Sequence, residues 1–232
     1  MRANHSSSIY ICLIFALALA FISCESSDTS SENQEGTINA SEEEARRIKS
    51  FLEMGLGQKS DWKSHWAGEL GPFEGVDFTL IQTDSIDPME MPETNPILPD
   101  DPLFPYQIKH PEGNGTMDIY SYKIEAQDAV ASPFFNPDSE VIWYREDGMR
   151  ERLLFMGPSG MFEEGLWLNN ETFVVFGYFQ EEVGYRPMAW IIDLGNHLVH
   201  KFQHSSTSST YQPESYINEK IKKVDLSMNG VS

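Results

Sequence analysis

The sequence predicts a mainly β domain: antiparallel, blade-like meanders forming a sandwich or a strongly bent sheet, with one short helix at each end. Three observations carry this. Runs rich in Val, Ile, Tyr, Phe and Trp fill residues 106–204 between Gly, Pro and Asn turns. Those runs repeat within the chain. Helical periodicity is confined to the two flanks of the folded region.

The first 23 residues open with a polar stretch carrying Arg2 and His5, continue as an uncharged apolar run from Ile9 to Ile22, and end at Ser23-Cys24. That is the layout of an export signal and not of a fold element. The run also falls short of the roughly 20 apolar residues a membrane-crossing helix needs. Phe21-Ile22-Ser23-Cys24 resembles the lipobox of bacterial lipoprotein precursors, with Phe21 where the family prefers Leu. The resemblance implies cleavage before Cys24, a diacylglyceride thioether and palmitate-type chains on Cys24, and residence in the cell envelope, at the outer membrane in a two-membrane cell. Only Cys12 and Cys24 occur, and Cys12 would leave with the signal, so no internal disulfide competes for Cys24. One acyl chain holds a protein marginally, and two or more hold it firmly.

Residues 24–40 are polar and without periodicity, a composition that cannot bury enough apolar surface to offset its ordering entropy. A disordered linker is expected, spanning roughly 20 Å on average and about 55 Å at full stretch. One domain, 41–228, follows. Ser41-Glu-Glu-Glu44 is a capping-box pattern, and Ala45, Ile48 and Leu52 share a face, so a helix of about three turns begins there. Trp62 and Trp66 lie four apart and would share one face of a helix. Exposed, they are candidates for stacking on a sugar or a partner; buried, they are core.

From Ser64 to Ile108 there is no Lys or Arg, while nine acidic residues occur, among them Asp100 and Asp101. Pro88, Pro92, Pro96, Pro99, Pro102 and Pro105 exclude regular helix and central strand from its second half. A long extended loop is expected there. It is either a contact surface for a cation or basic partner, with Asp100 and Asp101 as candidates, or a solvated excursion. Asp84-Ser85-Ile86 resembles the short O-glycosylation motif of exported Bacteroidota proteins.

The repeat has two blocks. Asn114–Tyr122 aligns with Asn170–Tyr178 at an offset of 56, and Glu140–Gly148 with Pro187–Gly195 at an offset of 47, matching Trp143 to Trp190 and Gly148 to Gly195. Each unit, about 106–156 and 162–204, reads as a strand followed by a hairpin closed at Asp147-Gly148 or Gly195-Asn196. The arrangement is similar to the antiparallel meander of a β-propeller blade. Two blades cannot close a propeller, hence the sandwich or bent sheet, with helices covering its edges. Past the repeat, Pro213, Ile217, Ile221 and Val224 mark a short amphipathic helix.

The formal charge is −20, which disfavours nucleic acid and anionic lipid surfaces as partners. His197, His200 and His204 do not share one face of a strand and have no acidic or sulfur ligand in their own run, so no metal or other cofactor is expected. Gly157-Pro158-Ser159-Gly160 lacks the spacing of a nucleophile elbow and reads as a turn. Glu163-Glu164 and Glu181-Glu182 would face opposite ways on a strand, which makes solvated rims of them and not paired catalytic acids. No catalytic residue is assigned. The expectation is a lipid-anchored envelope protein that binds or scaffolds an envelope protein or glycan; the alternative is an envelope hydrolase acting on glycan or peptide, and a third reading is a carrier of divalent cations through the acidic loop.

Overall fold

The computed structural model describes residues 30–125 and 134–221. The expected signal, Cys24 and the positions beyond 221, including Val224, lie outside those residues. The chain divides into two units, Met1–Ala40 and Ser41–Ser232, and the side-chain contacts described here all belong to the second.

The domain is mainly β, with two five-stranded antiparallel sheets and no closed barrel among the described residues. The first sheet runs β1 (Phe78–Ser85), β12 (Leu198–His204), β11 (Gly184–Asp193), β10 (Thr172–Glu181) and β9 (Gly160–Trp167). The second runs β2 (Met89–Pro92), β8 (Met149–Met156), β7 (Ser139–Tyr144), β4 (Thr116–Asp118) and β3 (Ile108–Lys109). A separate two-stranded ribbon joins β5 (Ile124–Glu125) to β6 (Phe134–Phe135).

The two aligned segments contribute adjacent antiparallel strands to separate sheets, β4-β7-β8 in one and β10-β11-β12 in the other. The two segments differ in register. Trp143 lies opposite Met117, whereas Trp190 lies opposite Val175, two positions further along the aligned strand. The strands also end differently: Asp118 Oδ1 accepts from the backbone N–H groups of Tyr120 (2.9 Å) and Ser121 (3.0 Å), turning the chain out of β4 where β10 runs on. The hairpins also close differently. Gly148 takes the left-handed conformation in the first (φ 86), but His197 takes it in the second (φ 53), with Asp193 accepting from Asn196.

Three helices are present among the described residues: α1 (Ser30–Gln58), α2 (Ser60–Leu70) and α3 (Ser215–Ile221). The backbone of α1 is helical from Ser30, within the span expected to be linker, and α1 outruns the expected three turns. The helices do not merely cover edges. β10 and β11 carry long runs of residues buried on both faces, so both faces need cover. On one face, Gly55 brings α1 against Phe176 and Val174, and Trp62 of α2 stacks on Phe176 with ring centroids 4.7 Å apart. On the other, the backbone N–H of Phe162 donates to Ser139 Oγ of the second sheet (3.2 Å), and Trp167 meets Trp143 edge to face. The result is a helix layer, a central sheet and an outer sheet around one core.

The acidic, proline-rich stretch contains an edge strand, β2, ending at Pro92, a position an edge tolerates. Two of its carboxylates have arginine partners: Glu90 meets Arg145 at 2.9 Å and Glu93 meets Arg150 at 3.5 Å. Among the described residues, no helix is long and apolar enough to cross a membrane.

Candidate functional site

The local sequence Met161-Phe-Glu-Glu-Gly-Leu-Trp167 sets two acids inside an otherwise apolar strand. Alternation would point them to opposite faces. In β9, however, Phe176 is opposite Glu164 and Gly177 opposite Phe162, so the register slips at Glu163. This bulge turns both carboxylates toward the helix layer. Gly177 permits it, because a Cβ there would lie 2.0 Å from the Met161 carbonyl oxygen. The expectation of a solvated rim is therefore overturned: Glu163 and Glu164 are both buried. Glu181, by contrast, is a rim residue, paired with Arg186 at 2.5 Å, and Glu182 is exposed.

Glu163 is enclosed by aromatic donors. Trp62 and Trp66, one turn apart on α2, donate their indole N–H groups to Oε2 at 2.8 and 3.0 Å. Tyr211 donates its hydroxyl to Oε1, and its ring stacks on Trp66 at 3.9 Å. Burial pushes the Glu163 carboxyl up and these three donors pull it part of the way back, leaving it at about 7. Glu164 lies in a different field. Lys59 (2.9 Å) and the backbone N–H of Gly165 (2.9 Å) donate to Oε1, while Tyr216 (2.7 Å) and Lys220 donate to Oε2. Burial raises it, but Lys220 and Lys59 outweigh that and hold it below the usual carboxylate range.

Beside Glu164 opens a cleft of about 620 Å³ lined by Asp61, Ser64, His65, Glu164, Tyr216, Glu219 and Lys220. At its edge, Ser215 Oγ lies 3.0 Å from His65 Nε2, and Glu219 Oε2 lies 3.3 Å from His65 Nδ1. Ser215 and Glu219 are four apart on α3 and share its face. The order of hydroxyl, imidazole and carboxylate is that of a nucleophile, a base and its orienting group. The Glu219 side chain is 71% exposed, however, and water screens the field it can impose on the imidazole.

Of the residues singled out in the sequence, Trp62 and Trp66 are fully buried and bind Glu163. Asp100 is exposed in a turn, and Asp101 accepts from the Leu103 N–H at 2.7 Å within the same turn. Cys24 lies outside the described residues. Gly157–Gly160 forms the turn between β8 and β9, as expected. The three histidines do not converge: His204 packs against Phe73 and Phe78, and His197 is exposed in its turn. His200 instead meets Glu44 of α1 and Asp193 of β11, the ligand atoms of all three lying within 4.8 Å of one another. Sequence reasoning missed Lys59, His65, Tyr211, Ser215, Tyr216 and Lys220. The signal that pointed toward them was the acidic pair in an apolar run, since buried carboxylates need donors. Comparison with protein-family models, curated proteins and solved structures finds no match for this chain.

Proposed function

We propose that this protein is a lipid-anchored cell-envelope binding module, tethered through Cys24, whose cleft receives an amine-bearing component of the envelope, a basic protein segment or an amino-sugar glycan. The supporting observation is the chemistry of the cleft. Three carboxylates, those of Asp61, Glu164 and Glu219, and the Tyr216 ring share one cavity with a single lysine, Lys220, which Glu164 already engages. A volume of about 620 Å³ suits a small ligand or a few residues of a larger one. The chain's charge of −20 adds a long-range attraction for cations. Calorimetry with pentalysine and with glucosamine oligomers tests this. At least one probe should saturate, and the double variant Asp61→Asn/Glu219→Gln should bind it about tenfold more weakly, a loss of about 1.4 kcal/mol. Failure of both probes to saturate, or an unaffected double variant, would sink the reading.

A second reading, an envelope hydrolase, is supported by the Ser215–His65–Glu219 contacts alone. It ranks second because the orienting carboxylate is largely in water. A fluorophosphonate probe discriminates the two: labelling that disappears in Ser215→Ala and His65→Ala favours hydrolysis, and no labelling leaves binding.

A further inference from the structure

Glu44, Asp193 and His200 come from three elements, α1, β11 and β12, and place one carboxylate oxygen each and one imidazole nitrogen within 4.8 Å of one another. The imidazole is only 2% exposed. Its Nδ1 faces Thr83 Oγ1 at 3.0 Å, and its buried Nε2 has no hydrogen-bond partner. A buried ring nitrogen without a partner loses the free energy of hydration with nothing in return, which native structures rarely tolerate without a ligand or a function. Asp193 is fixed in direction, because Asn196 donates to both its oxygens at 3.0 Å. Oriented ligands of this kind are what metal sites need.

Arg47 now supplies the positive charge. Its guanidinium donates to both Glu44 oxygens, at 2.9 and 2.6 Å, and to Asp193 Oδ2 at 3.0 Å. It does not donate to the free nitrogen of His200. Its side chain is 39% exposed on the flank of α1, with the guanidinium over the Phe51 ring at 5.3 Å, so it reaches water without crossing the protein.

We propose that Glu44, Asp193 and His200 bind a divalent transition-metal ion of the zinc class, which replaces Arg47 and clips α1 to the β11–β12 hairpin. One imidazole and two carboxylates suit zinc, whereas calcium selects oxygen ligands. The site is separate from the Glu164 cleft and does not depend on the binding reading given above.

Calorimetry of the purified protein with zinc chloride, and in parallel with calcium chloride, tests this. One zinc per chain should bind, calcium should not, and the thermal midpoint should rise with zinc. Glu44→Gln, a change at a half-buried position on the helix flank, should weaken zinc binding at least tenfold and remove the thermal shift. His200→Gln should do the same; if it does not fold by circular dichroism, Glu44→Gln decides alone. Arg47→Met, which removes the resident cation, should bind zinc at least as tightly as the unaltered chain. The absence of saturable zinc binding would overturn the proposal, leaving the cluster an ion pair only. Zinc binding unaltered in Glu44→Gln would overturn it too, since the ion would then lie elsewhere.

Discussion

Glu163 shows how much one buried carboxyl can govern. Free in the unfolded chain it titrates near 4.5, and in the folded domain at about 7. Between those values the folded state binds more protons than the unfolded state, so the contribution of Glu163 to stability is full below 4.5 and is lost as pH rises through 7. The total loss is about 3 kcal/mol, since each tenfold gain in proton affinity on folding is worth about 1.4 kcal/mol. Glu164, held low by Lys220 and Lys59, acts in the opposite sense, losing its contribution only as pH falls below the usual carboxylate range. The two windows do not overlap. Denaturant midpoints measured from pH 5 to 8 should therefore fall with pH more steeply in the unaltered chain than in Glu163→Gln, which keeps an acceptor for the two indoles. Equal slopes in both proteins would show that Glu163 is not the titrating group.

At the scale of the element, the bulge in β9 decides which side chains meet. Gly177 opposes it without room for a methyl, so Gly177→Ala must push the Met161 carbonyl away and disturb the step that turns Glu163 inward. Overpacking of this kind costs about 1–3 kcal/mol, and urea unfolding should report a loss at the top of that range or beyond. A loss under about 0.5 kcal/mol, the size expected of a neutral surface change, would mean the strand pair relaxes freely. This element also marks where sequence reading stops. The meanders of both sheets, the Asp147-Gly148 hairpin and the helix around Ile48 and Leu52 were legible, because apolar period and turn chemistry are local properties. The bulge was not, because a slip of one residue is set by the partner strand, and with it went the direction of Glu163. Placement of the helices over the face of the first sheet was likewise hidden, although the unbroken apolar runs Phe173–Phe176 and Trp190–Ile192 carried the hint that both faces needed cover. The Glu164 cleft draws on residues far apart in the chain, Asp61 and Lys220 with Glu164 between them, and no spacing rule reaches that far.

For the whole molecule, the proposed function joins a tether to a layered β domain with an acidic cleft beside Glu164. The proposed anchor would account for the lone cysteine left after cleavage and for the polar stretch after it, and a charge of −20 disfavours direct adhesion to an anionic lipid surface. Two acyl chains would make the attachment stable, whereas a plain secreted chain would leave with the soluble fraction. The most direct test is metabolic labelling with a radioactive or clickable fatty acid, followed by membrane fractionation of the unaltered protein and of Cys24→Ala. A lipid anchor at Cys24 predicts a labelled, membrane-bound protein and an unlabelled, soluble variant. Membrane association and labelling that survive in Cys24→Ala would contradict it.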